Sequence, residues 1–102
     1  MEFTKLTTVS ELPPEGEARE YQIGDKTICI ANTDAGFAAL DNVCVHRGGP
    51  LGQGVVDGNK VICPWHGWTF DAHTGACTHN PNARVAAYPL KIEGDDVFVG
   101  LD

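Results

Sequence analysis

The sequence predicts an all-β fold, and three observations support this fold class. Apolar residues occur in short runs rich in β-branched side chains, and turn signals built from Gly, Asp, Asn and Pro separate these runs at close spacing. No long segment repeats its apolar residues with the period of about 3.6 residues that a helix requires. A sandwich or barrel-like architecture is therefore expected, and the length of 102 residues predicts one domain over residues 1–102.

The N-terminal half is predicted to hold one helical turn and three strands. Thr8 and Glu11 have the spacing of a capping box, and Pro13-Pro14 limits the helix to a single turn. A hairpin is expected around Gly24-Asp25, and another strand follows the turn at residues 34–36. The strands predicted in this half are 21–23, 26–33 and 37–40.

The C-terminal half is predicted to hold a glycine-rich loop and two further hairpins. Residues 47–54 contain four glycines and one proline, a composition that suits a tight loop and poorly suits a helix or a central strand. Turns at residues 57–59 and 94–96 each separate two apolar runs. The strands predicted in this half are 55–56, 60–62, 68–70, 88–92 and 97–101.

The acidic composition restricts the classes of partner. Fourteen acidic and seven basic side chains give a formal charge of −7, which repels a nucleic-acid backbone and an anionic membrane surface. Neither nucleic acid nor a membrane is expected as a partner. An acidic surface suits a basic patch on another protein, although the same charge would also serve solubility alone.

The sequence also indicates a cellular compartment. No apolar run approaches the roughly 20 residues needed to cross a bilayer, and the segment Met1–Lys5 lacks a basic region followed by an apolar stretch. A cytoplasmic protein is expected. Four cysteines in such a protein are more typical of metal or redox chemistry than of a disulfide framework.

Two short motifs carry the candidate metal ligands. The first is Cys44-Val45-His46, the second is Cys63-Pro64-Trp65-His66, and sixteen residues separate them. Each lies on a loop containing Gly or Pro at the end of a predicted strand, and two thiolates with two imidazoles form a metal-ligand set. Structural zinc sites usually pair Cys with Cys and His with His, whereas a [2Fe–2S] cluster with mixed ligation needs one of each from both loops. Zinc is disfavoured but stays open.

These motifs resemble those of the Rieske family, which are CxH and, after some fifteen to twenty residues, CxxH. Here the matching segments are residues 44–48 and 63–67, and the resemblance extends to the chain length and to the turn at 71–75. It implies one [2Fe–2S] cluster per chain, with Cys44 and Cys63 on the inner iron and His46 and His66 on the outer iron near the surface. It also implies a Rieske-like domain of antiparallel sheets, with a cluster-binding subdomain made of the two loops.

Departures from the high-potential branch of that family bear on the redox potential. In that branch a second cysteine pair clamps the two loops, and the matching positions are Gly49 and Trp65, so that clamp is missing. The branch also has a Ser and a Tyr whose hydroxyls bond cluster sulfur, where this chain has Trp68 and Phe70. Fewer donors to the more negative reduced cluster predict a potential near the low end of the Rieske range, about −150 mV.

Other residues invite a functional interpretation but have simpler explanations. Cys29 and Cys77 are expected to be small buried apolar side chains, and His73 and His79 to be solvated loop histidines. Arg47 and Pro81 are candidates for contact with a partner, and are equally well explained as a surface charge and a loop stiffener. The aromatic residues Trp65, Trp68 and Phe70 are expected to pack either around the cluster or in the ordinary core.

The predicted function is electron transfer without catalysis, because such a cluster cycles one electron and offers no open coordination site. The resemblance implies a soluble monomeric ferredoxin that carries electrons from a flavin reductase to the terminal oxygenase of a ring-hydroxylating dioxygenase system, through transient encounters. One alternative is the Rieske-like small subunit of an assimilatory nitrite reductase. Another is a zinc-stabilised interaction module without redox activity.

Overall fold

The strands of the molecule form three antiparallel sheets. A computed structural model describes residues 2–44, 48–65, 67–78, 80 and 82–101. The strands it contains are β1 Glu2–Thr8, β2 Ala18–Ile23, β3 Lys26–Thr33, β4 Gly36–Asp41, β5 Val55–Asp57, β6 Lys60–Ile62, β7 Thr69–Asp71, β8 Ala87–Tyr88, β9 Leu90–Glu93 and β10 Asp96–Leu101. Two 3-10 turns, Val9–Glu11 and Leu51–Gln53, complete the regular structure of these residues. In the same ranges no helix is long and apolar enough to cross a membrane.

The sheets differ in size and in the elements they join. The terminal sheet has the order β1-β10-β9, the central sheet β2-β3-β4-β8, and the small sheet β5-β6-β7. Hairpins connect β2 to β3, β3 to β4, β5 to β6 and β9 to β10. The all-β fold class of antiparallel sheets predicted from the sequence is confirmed.

Apolar packing covers both faces of the central sheet. Successive side chains of a strand point to opposite faces of the sheet. Ile28 and Ile30 of β3 pack with Val97 and Val99 of the terminal sheet. The intervening Cys29 and Ala31 face the opposite way, into a second apolar cluster that contains Val61 and Phe70 of the small sheet together with Cys44 and Cys63. Both predicted ligand cysteines therefore belong to the core between the central and small sheets.

Two sequence predictions are corrected by the structure. The predicted strand 88–92 is two strands, because Pro89 has no N–H for a ladder. Tyr88 pairs with Ala39 in the central sheet, whereas Leu90 pairs with Val99 in the terminal sheet. The loop 47–54, predicted to be unsuited to a helix, contains the 3-10 turn Leu51–Gln53.

Candidate metal centre

Cys44 and Cys63 lie together, each just beyond the end of a strand. Cys63 directly follows β6, and Cys44 follows β4 after two residues. Their exposed fractions are 1% and 2%, and neither thiol is in a disulfide. His46 and His66, the other two predicted ligands, lie outside the described residues, within which no third His, Cys, Asp or Glu side chain groups with the two cysteines. The described half of the predicted ligand set thus converges on one point.

Short backbone hydrogen bonds shape the loop that follows each cysteine. The Cys44 N–H donates to the Gly49 carbonyl at 2.9 Å, and the Gly48 N–H donates to the Cys44 carbonyl at 2.8 Å. Gly48 adopts φ +73°, a left-handed conformation that favours glycine. In the second loop the Cys63 N–H donates to the Trp68 carbonyl at 2.7 Å. Both cysteines are therefore held at the base of a tight turn.

Gly49 is the point at which the first loop touches the second. A Cβ atom on Gly49 would lie 2.7 Å from Cys63 Sγ and 3.1 Å from Trp65 Cγ. Only a residue without a side chain permits this approach. The hypothetical Cβ would also lie 3.2 Å from Trp65 Cβ, so positions 49 and 65 are neighbours across the two loops. These are the two positions that the family resemblance matches to the clamping cysteine pair of the high-potential branch, and they lie side by side here.

The environment of the thiols favours a positively charged occupant. Burial raises the pKa of the Cys63 thiol; the Trp65 N–H, which donates to Sγ at 3.4 Å, opposes this effect, and the neighbouring Cys44 thiol adds to it. Two buried thiolates side by side are unfavourable without a compensating cation. Ferric ions supply that charge, and thiolate sulfur is the ligand that iron–sulfur clusters use. The described residues thus fit a cluster of this type.

The three aromatic residues near the cysteines have different surroundings. Phe70 is fully buried in the same apolar cluster as Cys44 and Cys63, and Trp68 packs against that cluster. Trp65 is 49% exposed while its indole lies beside Gly49. Phe70 is therefore a core residue that also borders the candidate centre, and Trp65 lies at the surface beside the loops.

The other candidate residues divide as follows. Cys29 and Cys77 are buried in the apolar core, which confirms the prediction of small apolar side chains. His73 is exposed but not simply solvated, because its Nε2 forms a 2.8 Å hydrogen bond with Thr33 Oγ1. Predictions made for Arg47, His79 and Pro81 fall outside the described residues.

Two polar residues behind the first loop were not predicted from the sequence. Asn42 is 5% exposed and hydrogen-bonds to Glu20 of β2 and to the backbone of Gly52. An asparagine at the end of a strand is an ordinary turn signal, so nothing in the sequence distinguishes Asn42. Its partners become recognisable only once the chain has folded.

Comparison with known proteins defines the family. The model of the Rieske [2Fe-2S] domain matches residues 2–89. The biphenyl dioxygenase ferredoxin subunit of Pseudomonas sp. (strain KKS102) is 37% identical over 97% of this chain and 92% of that protein. The ferredoxin component of the naphthalene 1,2-dioxygenase system of Pseudomonas aeruginosa is 30% identical over 86% of each chain. A solved Sphingomonas yanoikuyae B1 ferredoxin superimposes with a TM-score of 0.87 at 28% identity, covering 99% of this chain and 100% of that one.

The chain belongs to the Rieske [2Fe–2S] family. It binds one [2Fe–2S] cluster, and it is an electron-transfer protein of the ferredoxin type, not a catalytic oxygenase. The zinc-stabilised module left open by the ligand types alone is excluded by this assignment.

Proposed function

We propose that this chain is a low-potential, soluble and cytoplasmic carrier of single electrons, formed by one domain over residues 1–102. It takes electrons from a reductase and passes them to the terminal oxygenase of a ring-hydroxylating dioxygenase system. The observation that carries this proposal is the convergence of the buried Cys44 and Cys63 thiols at the bases of two adjoining loops, in a chain 37% identical to a dioxygenase ferredoxin subunit.

The proposed ligands are Cys44 and Cys63 on the inner iron and His46 and His66 on the outer iron. The contact of Cys63 Sγ with Gly49 supports this assignment, because it sets the second cysteine against the loop that begins at the first. Each histidine follows its cysteine by two or three residues, so both loops contribute one thiolate and one imidazole. A bound cluster would accept and release one electron. The two buried cysteines would exclude water from their side of it.

The proposed docking surface, here called the tip face, comprises Val43, Gly48, Pro50 and Trp65. Val43 pairs with Pro50 in an antiparallel bridge and lies beside Gly48. Val43 and Trp65 are 53% and 49% exposed, and exposed apolar side chains that lie together mark interaction sites. An apolar face next to the cluster, on a chain of net charge −7, suits brief encounters with a partner carrying an apolar patch and basic residues. A monomer that docks transiently fits this surface.

The ligand set is tested by substitution of all four cysteines one at a time. Cys44→Ser and Cys63→Ser are expected to abolish the cluster, measured as iron and sulfide per chain and as the EPR signal of the reduced protein. Cys29→Ser and Cys77→Ser are matched controls, because these cysteines are equally buried, and both variants should keep the cluster. Retention of the Rieske EPR signal in Cys44→Ser or Cys63→Ser would refute the ligand assignment.

The carrier role is tested by reconstitution with a purified ferredoxin reductase and a ring-hydroxylating oxygenase. Turnover of the oxygenase should depend on added carrier and saturate as its concentration rises. On size exclusion the chain should elute alone, apart from any partner. Elution in a permanent complex with a large redox enzyme would contradict the carrier role and favour a fixed subunit, such as that of a nitrite reductase.

A further inference from the structure

A hydrogen-bond network lies directly behind the first ligand loop. Asn42 Nδ2 donates to Glu20 Oε2 at 2.7 Å, and Asn42 Oδ1 accepts from the Gly52 N–H at the same distance. Glu20 Oε1 accepts from Gln53 Nε2 at 3.0 Å. The Asn42 carbonyl also accepts the Leu51 N–H at 2.8 Å. The side chains of Asn42 and Glu20 thus attach the 3-10 turn Leu51–Gln53 to strand β2 and to the residue that follows β4.

Close packing around Gly52 holds the 3-10 turn against Glu20 and Asn42. A Cβ on Gly52 would lie 2.8 Å from Asn42 Oδ1 and 2.9 Å from the Glu20 backbone nitrogen. The turn therefore rests on Glu20 and Asn42 without an intervening side chain. Because Asn42 is buried, loss of any one partner would leave a polar group without water to replace it.

The network connects to both predicted cysteine ligands through the backbone. Asn42 precedes Cys44 by two residues. Its carbonyl accepts the Leu51 N–H and its side chain accepts the Gly52 N–H, so the chain returns to Asn42 after the loop. Between these anchors, Pro50 pairs with Val43, and the Gly49 carbonyl accepts the Cys44 N–H. Gly49 is the residue in contact with Cys63 Sγ. A shift at Asn42 would therefore change the position of Cys44 and of the Gly49 contact together.

We infer that Asn42, oriented by Glu20, is a positioning residue that sets Cys44 relative to Cys63 at the cluster. Neither side chain is a ligand; both act through the backbone of the segment between Asn42 and Gln53. The inference rests on the proposed ligand set, since it takes these two cysteines to hold the inner iron. Polar groups that orient metal ligands typically change metal affinity by roughly 10- to 100-fold when they are removed.

The network can be tested by exchanging its donor and acceptor. In Asn42→Asp a carboxylate oxygen replaces Nδ2 and faces Glu20 Oε2, so the contact at 2.7 Å becomes repulsive. In the double variant Glu20→Gln/Asn42→Asp, the new amide at position 20 can donate to the new carboxylate at position 42 and still accept from Gln53. The net charge of the double variant equals that of the wild type. Asn42→Asp should release iron to a chelator roughly tenfold or more faster, with a changed EPR line shape, and the double variant should restore both properties.

The comparison stays decisive if Asn42→Asp does not fold. Glu20→Ala removes the acceptor of Asn42 Nδ2 and should hasten iron release. Glu20→Gln has the same charge as Glu20→Ala, but its carbonyl oxygen can accept from Asn42 and its amide nitrogen can donate to the exposed Gln53 side chain once that amide turns over, so it should release iron at close to the wild-type rate. Gln22→Glu is the charge control, because Gln22 lies on β2 with an exposed side chain, and it should leave the EPR spectrum unchanged.

Two results would overturn the inference. One is a wild-type line shape and rate of iron release in Asn42→Asp; the other is an equal rate of iron release in Glu20→Ala and Glu20→Gln. The wild-type protein distinguishes this failure from that of the proposed function. If wild-type protein shows the EPR signal of mixed cysteine and histidine ligation and the variants do not behave as stated, the positioning role alone is wrong.

Discussion

Gly49 permits the close approach of the two proposed ligand loops. In Gly49→Ala the added Cβ would lie 2.7 Å from Cys63 Sγ, so the loops must separate. We expect a loss of stability of about 1–3 kcal/mol from overpacking, accompanied by a fall in iron per chain. Gly24→Ala is the control, because Gly24 has φ +59° and nothing within 4 Å. That variant should also destabilise, by about 1–2 kcal/mol, but keep a full complement of iron. Full iron loading in Gly49→Ala would contradict the prediction.

Phe70 tests the origin of the predicted low potential. Phe70 is fully buried among the apolar core residues that include Cys44 and Cys63, the two proposed ligand cysteines. In Phe70→Tyr a hydroxyl can donate to cluster sulfur, which stabilises the more negative reduced state. A difference of about 1.4 kcal/mol between the two redox states would raise the midpoint by about 59 mV for one electron.

A potentiometric titration measures this effect. Phe37→Tyr is the control, because Phe37 packs on the opposite face of the central sheet, and its midpoint should equal that of the wild type. The wild-type midpoint is itself predicted to be about −150 mV. An unchanged midpoint in Phe70→Tyr would show that the missing hydroxyl is not the reason for the low potential.

Strand β3 carries an alkaline-sensitive group in its interior. Burial raises the pKa of Cys29 to about 12, with a smaller contribution from the charge of Glu20. The same thiol in the unfolded chain loses its proton near pH ~8.5. Below about pH 8.5 the thiol is protonated in both states, and its contribution to stability is fully present. As the pH rises toward 12 the unfolded chain loses this proton first, so the free energy of unfolding falls by about 1.4 kcal/mol per pH unit.

Cys29→Val removes this titration while it leaves a small apolar side chain in the strand. Denaturant unfolding at about pH 8 and about pH 10 should show that the wild type loses about 2 kcal/mol more stability than the variant over this interval. Other groups titrate at alkaline pH in both proteins, so the difference between them isolates Cys29. Equal losses in the two proteins would refute the assignment.

The elements predicted from sequence are those whose signals are local. Strands β3 and β10 were predicted because each contains a run of consecutive apolar residues, and the hairpin turns between strands carry Gly with Asp or Asn. Strand β1 was missed because its first four residues are exposed and, apart from Phe3, polar, so that only pairing with β10 defines it. The predicted strand 88–92 divides at Pro89 because its two halves pair in different sheets. The sequence alone does not indicate these pairings.

The same distinction explains the candidate site. Cys44 and Cys63 were predicted to be metal ligands because each belongs to a short motif whose Cys–His spacing is visible within a few consecutive residues. The Glu20–Asn42 contact joins residues 22 apart on different strands, and both are ordinary residue types for a surface and a turn. A tertiary contact of this kind has no periodicity or motif, so sequence reasoning could not select it.

At the scale of the whole molecule, apolar exposure and charge point to how a partner is met. The terminal sheet and the small sheet lie on opposite faces of the central sheet, and both cysteines belong to the core on the small-sheet side. The tip face is therefore distinct from the exposed surface of the terminal sheet. The formal charge of −7 adds a general attraction for a basic partner.

Trp65→Ser tests whether the tip face is the docking surface. The exposed indole can bury itself against a partner, and the loss of such an aromatic anchor typically costs about 2 kcal/mol or more of binding energy. The concentration of carrier that half-saturates the oxygenase should therefore rise by roughly thirtyfold. Ile92→Ser is the matched control, because Ile92 is similarly exposed, at 42%, but lies on the terminal sheet, and it should leave this concentration unchanged.

Salt separates the apolar and electrostatic parts of this encounter. The negative chain should meet its partner more slowly as the ionic strength rises, because screening shortens the Debye length from about 10 Å at 0.1 M to about 3 Å at 1 M. Since Trp65→Ser leaves every charge in place, the slope of the rate against salt should match the wild type while the rate itself is lower. The midpoint potential of Trp65→Ser must also be measured, to exclude a change in driving force as the cause of slower electron transfer. A weakened salt dependence in Trp65→Ser, or an equal loss in Ile92→Ser, would place the docking surface elsewhere on the molecule.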